Sequence, residues 1–103
     1  MQLVKSVYEL TAGFPGEERF GLIEQMRRAA VSTSSNLAER AGRNHAKEKP
    51  QFIGISRGSL ADLETQLQLA VMLNFAPKDH IAFELADRAG KLLTGLHEKW
   101  RMK

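Results

Sequence analysis

Few residues in this chain have titratable or nucleophilic chemistry, and their spacing decides what each could do. There are three histidines, His45, His80 and His97, and no cysteine. A di-metal carboxylate site in a helical protein uses inward glutamates and Glu-x-x-His pairs. The residues three before these histidines are Gly42, Pro77 and Thr94, so that motif is absent. His80 and Glu84 stand four apart, a spacing that binds at best a casual ion; the plainer expectation is an exposed histidine at a helix start. Ser32, Thr33, Ser34 and Ser35 form a run of hydroxyls with no histidine or acid partner near them. No strand-turn-helix elbow frames them, so they read as small packing residues rather than as a nucleophile. Gly13 and Gly16 flank Phe14-Pro15 and match no phosphate-cradling loop. Without cysteine there is no disulfide framework and no thiolate metal site. No catalytic residue, metal or cofactor is expected, and the chain reads as a non-enzyme.

Charge carries more information. The formal total is only +3, from 15 Lys and Arg against 12 Asp and Glu. Between Arg27 and Arg57, however, seven basic residues (Arg27, Arg28, Arg40, Arg43, Lys47, Lys49 and Arg57) face two acidic ones, Glu39 and Glu48. Such concentration in a small domain is an argument about partners rather than about fold. Arg and Lys pooled at one end of a molecule contact phosphates in a salt-sensitive, largely sequence-independent way. The competing expectation is a solvated face with local pairs such as Glu24–Arg28 and Glu39–Arg43. Only Phe52 offers a stacking ring near this region, which argues against specific readout of single strands.

A second group is polar and close to apolar stripes: Asn36 and Glu39, then Ser59, Glu64 and Gln66. Half-buried polar groups must find partners. They are expected to form an interhelical hydrogen-bond network that fixes register, with Arg27, Arg28 or Arg43 as its cation. A ligand-binding constellation is the alternative.

The elements that position these residues follow from periodicity. The chain is one domain of 103 residues. No segment alternates apolar and polar residues as a half-buried strand would. Met1 to Ala12 reads as a helix with Leu3, Val7 and Leu10 on one stripe and Val4, Tyr8 and Thr11 beside it. Gly13 is a natural residue to end it and Pro15 forbids simple continuation. Phe20 to Arg43 reads as one long second helix, with Ile23, Met26, Ala30, Leu37 and Ala41 inward. Its middle has no large side chain except Val31, which predicts a close crossing or a slight bend.

Pro50 belongs in the opening turn of a third helix. The inward stripe of that helix is Phe52, Ile53, Ser56, Leu60, Leu63, Leu67, Ala70 and Leu73. Gly54 and Gly58 within it are expected to serve a close helix–helix contact. Pro77 suits the first position of a fourth helix, whose stripe is Ile81, Leu85, Ala89, Leu92, Leu96 and Trp100. Short connections make neighbours antiparallel. The fold class is all-α, an antiparallel up-down-up-down four-helix bundle. Apolar runs are too short to span a membrane, no signal peptide is apparent, and the expected compartment is the cytoplasm.

Two motifs in order, QMRRAAVSTSSNLAER (Gln25 to Arg40) with Arg43, and FIGISRGSLADLETQL (Phe52 to Leu67), give the chain a family likeness. With the preceding VYELTAGFPGEERFGL (Val7 to Leu22), it closely resembles the bacterial four-helix-bundle proteins encoded in intervening sequences of large-subunit ribosomal RNA genes. The resemblance covers roughly Val7 to Leu96. It implies a homopentamer around a central channel, no enzymatic activity and nucleic acid as the expected partner. A related group acts as accessory protein to the reverse transcriptase of diversity-generating retroelements, which implies a protein-interaction scaffold as the alternative. The motif residues carried over are Arg27, Arg28, Ser35, Asn36, Glu39, Arg43, Gly58, Ser59, Glu64 and Gln66. The chain departs from the family in an expected short first helix and in Pro50, which predicts a late start for helix three.

Overall fold

The computed structural model describes residues 2–42 and 49–101, with side chains outside 18–20, 36–42, 49–52 and 96–101. Among the described residues all regular structure is helical. The main elements are α1 (Gln2–Thr11), α2 (Glu24–Gly42), α3 (Lys49–Met72) and α4 (Ile81–Arg101). Helix α2 shares its largest interface with α3, α3 also packs on α4, and α1 packs on both α2 and α4. Each helix therefore has two neighbours, and the four close around one core as a bundle.

In α1 the predicted stripe is buried, and Ser6 and Thr11 go in with it. Their hydroxyls donate to Leu3 O and Val7 O, both at 2.8 Å, so neither is left unpaired in the core. Gly13 does not take the left-handed backbone of a glycine stop. The helix instead tightens, with Gly13 N–H bonding Leu10 O and Phe14 N–H bonding Thr11 O. Phe14 then turns into the core and meets Phe75 at 5.4 Å between ring centroids. That pair ties the α1–α2 turn to the α3–α4 turn.

The long second helix expected from Phe20 is broken. Gly16–Glu18 forms a 3-10 turn, Arg19–Ile23 a π-helical turn, and Gly21 leaves helical geometry at φ −111°, ψ −105°. Continuous apolar spacing concealed the break, because Ile23 and Met26 still face inward after it. A residue without Cβ accommodates such a backbone most readily. Regular α2 begins only at Glu24.

The small-residue middle of α2 makes the expected close crossing. Thr33 and Ser34 are buried on α2, as is Ser56 on α3. Ser56 Oγ donates to Thr33 O at 3.4 Å, and the Ser32 and Ser59 hydroxyls are 2.7 Å apart. Partners on α3 come earlier in the chain as those on α2 come later. This is the order of two helices running in opposite directions.

Helix α3 starts at Lys49 rather than late, with Pro50 in its opening turn, where a missing N–H costs nothing. Its buried stripe from Ile53 to Ala70 follows the periodicity, but Leu73 is exposed. Gly54 and Gly58 do not serve a contact within the chain: both are exposed, and a Cβ at either would meet nothing within 4 Å. They lie on the side of α3 away from the core stripe. The glycine that does lie at a helix contact is Gly90 on α4, where a Cβ would stand 3.5 Å from Leu60 Cδ2.

Asn74 ends α3 with φ 62°. Phe75 N–H reaches back to Ala70 O at 2.8 Å and Asn74 N–H to Val71 O at 3.0 Å, the paired bonds of a Schellman motif. Pro77 does not open α4. The helix starts at Ile81, and His80 caps it, its Nδ1 accepting from Ala82 N–H at 3.0 Å. The buried face of α4 is Ala82, Ala86 and Leu93, with Leu85 and Ala89 half-buried and Ile81 and Leu92 exposed. Large side chains suggested a different face because two of the three buried residues, Ala82 and Ala86, are small.

Candidate nucleic-acid interface

Among the described residues the basic side chains of the expected patch, Arg27, Arg28 and Arg57, do not form one surface. Arg27 leaves the group first. Its Nε donates to Thr11 Oγ1 at 2.8 Å, a terminal nitrogen stands 3.5 Å from Tyr8 O, and Cζ lies 4.5 Å over the Tyr8 ring centroid. The guanidinium thus joins α2 to the last turn of α1, where the Thr11 hydroxyl donates a hydrogen bond to Val7 O and accepts one from arginine. Arg28 is exposed and bonds Glu24 Oε1 at 2.7 Å, the expected local pair. At such exposure the pair contributes little stability.

Arg57 is exposed and falls on another flank. It stands one turn before Leu60, whose side chain meets Gly90 on α4, whereas Arg28 lines a groove with Ser59 and Asp62 on the α2 side of α3. Arg40 lies in the last turn of α2 and Lys49 is the first residue of α3. Both therefore flank the six-residue connection that follows Gly42. Arg43 and Lys47, within that connection, lie outside the described residues, as does the Glu39–Arg43 pair. The end of the bundle nearest this connection carries the basic segment in sequence, while Arg27 and Arg28 belong to the middle.

The polar group also divides. Ser59 pairs with Ser32 across the α2–α3 crossing. Glu64 is exposed and carries no bond across the helices, and Gln66 is half-buried with Oε1 shielded from solvent and unpartnered among the described residues. The side chains of Asn36 and Glu39 lie outside the description. Of the three cations expected to close this network, Arg27 turns towards α1 and Arg28 along its own helix, and Arg43 lies outside the described residues.

Sequence reasoning passed over Tyr8 and Thr11. Tyr8 sits nineteen positions before Arg27, and nothing short of the packing angle between α1 and α2 brings them together. Tyr8, Ile23, Glu24, Arg27, Arg28 and Val31 line an open groove of about 570 Å³ on that side. Among the described residues no group of three His, Asp or Glu side chains stands close enough to hold a metal ion, and no helix is long and apolar enough to cross a membrane.

The fold and its surface define a small helical-bundle protein with basic residues gathered, in sequence, about one interhelical connection. The chain belongs to the 23S rRNA-intervening sequence protein family, whose family model matches residues 1–95. No curated protein matches the chain.

Proposed function

We propose that the protein is a non-enzymatic, homo-oligomeric bundle that binds structured RNA or DNA through the basic end around the α2–α3 connection. The observation that carries this reading is the run Arg40, Arg43, Lys47, Lys49, interrupted by one acid, Glu48, and flanked by the ends of two packed helices. Cations held at one end of a rigid bundle release counterions when they meet phosphates, and that term sets affinity whatever the base sequence. Assembly into a ring, which family membership favours as a pentamer, would repeat the patch. Copies then raise avidity through effective concentration without better contacts in any one of them. The family's description, a protein of 23S rRNA intervening sequences, makes folded RNA the first probe.

Binding to a folded RNA is expected to weaken steeply with salt. The Arg40→Ala, Lys47→Ala double variant is expected to weaken it for every sequence tested, lowering the slope of log affinity against log salt by about two. Affinity indifferent to both changes would remove the reading.

A second reading, a scaffold for a partner protein such as a reverse transcriptase, is favoured by a separate observation. Leu69, Met72, Leu73 and Ile81 are exposed about the α3–α4 turn, Met72 at 75%. Large apolar side chains gathered in this way mark protein contacts. Capture of a partner from nuclease-treated lysate by the wild type, lost in Met72→Ser with Leu73→Ser, would favour the scaffold.

A further inference from the structure

The α1–α2 groove combines two properties. The first is an aromatic and cationic surface. Tyr8 is 42% exposed, and the Arg27 guanidinium lies over its ring, Cζ 4.5 Å from the centroid, held there by the bond to Thr11 Oγ1. Ring and guanidinium are both planar, and both accept a stacked base. Val31 and Ile23 continue the surface with aliphatic carbon.

The second property is unspent positive charge. A guanidinium has five N–H donors. Among the described residues Arg27 uses its N–H groups on Thr11 and Tyr8, and Arg28 uses one nitrogen on Glu24. The lining holds two guanidinium groups against one carboxylate, so the groove favours an anion. Its volume of about 570 Å³ falls within the range of small-ligand sites.

A ligand both planar and anionic fits this lining. In a duplex the bases are stacked on one another and unavailable, whereas an unpaired base can be splayed onto a protein surface. We propose that the groove takes one unpaired nucleotide of a single-stranded stretch, its base against the Tyr8–Arg27 pair and Val31, and its phosphate at Arg28. This rests on the reading that the protein binds nucleic acid, and it adds a strand preference that the basic end alone does not supply. In a protein that grips a folded RNA at its basic end, this groove selects sites with a loop or bulge within reach.

The test measures anisotropy of a fluorescein-labelled oligouridine and of a fully paired RNA duplex, with the full chain at low salt. Tyr8→Leu is expected to weaken oligouridine binding by on the order of 10-fold. Tyr8→Phe is expected to keep it, and Arg28→Gln to weaken it several-fold. Duplex binding is expected to be unchanged in all three, and Arg40→Ala with Lys47→Ala to weaken both ligands. Arg28 is exposed, so Arg28→Gln decides alone should Tyr8→Leu fail to fold. Oligouridine affinity equal in wild type, Tyr8→Leu and Arg28→Gln overturns the inference and leaves the basic-end reading standing. Wild type that binds neither ligand removes both. Displacement of oligouridine by an acidic peptide as effectively as by unlabelled oligouridine marks a site that reads charge alone, and overturns it. A change of mass by light scattering in Tyr8→Leu marks a contact between copies, with the same consequence.

Discussion

Thr11 is buried at the end of α1 and satisfied in both directions, donating to Val7 O and accepting from Arg27 Nε. A hydroxyl in the core costs stability unless it is paired, and here the pairing also draws a cation across to the ring of Tyr8. Arg27 and Arg28 are adjacent in sequence and of one type, yet only Arg27 is held in a tertiary contact. Arg27→Met keeps the aliphatic stem and removes both interactions. It is expected to cost about 1–2 kcal/mol in urea unfolding, with a coupling of about 0.5–1 kcal/mol to Tyr8 in a double-mutant cycle. Arg28→Met, which removes only an exposed pair, is expected to change stability by less than about 0.5 kcal/mol. The Glu24–Arg28 pair was legible in the sequence, but the tertiary contact of Arg27 was not. A charge count treats the two arginines alike, and helical spacing puts Tyr8 merely beside a stripe. What distinguishes them is which way a neighbouring helix crosses.

The elements were more legible than their ends. Leu3, Val7 and Leu10 on α1, and Ile53 through Ala70 on α3, face the core as their spacing requires. Periodicity succeeds there because large aliphatic groups are the ones buried. It fails on α4, where the small Ala82 and Ala86 are inward and the larger Ile81 and Leu92 are not. Terminal signals misled in the same way. Gly13 and Pro77 have the right types to stop and start helices, but hydrogen bonds at Thr11 and the His80 imidazole do that work. Asn74 is the position where a left-handed backbone is required. Asn74→Gly is expected to hold or raise the melting temperature. Asn74→Ala is expected to lose about 1 kcal/mol, since a Cβ without a compensating polar group disfavours that backbone. Thermal unfolding of the two variants side by side checks this.

Taken whole, the molecule is elongated, 45 × 21 × 18 Å, with unlike ends. One end holds the close of α2 and the start of α3, between which the basic run lies in sequence, and the other carries the exposed Leu69, Met72, Leu73 and Ile81. The two ends respond to salt in opposite ways. Raising ionic strength screens phosphate contacts, while apolar contacts persist. If both ends are used, light scattering at low and high salt is expected to give one assembly mass while nucleic-acid binding collapses. That segregation was half visible beforehand. The basic run is contiguous in sequence, but two of the four side chains of the apolar end, Leu73 and Ile81, are ones that periodicity had assigned to the interior.

The break at Gly21 has a further consequence for how the bundle opens. Together with the turn after Thr11 it leaves no helical hydrogen-bond ladder running from α1 into α2, so α1 is held by its docked side chains and not by a continuous backbone. A helix of ten residues does not persist alone in water. Amide deuterium uptake is therefore expected to run through α1 as one cooperative block, ahead of the amides around the Thr33–Ser56 crossing, and to advance further in Arg27→Met. The first helix is in that sense a latch on a hairpin that can outlast it.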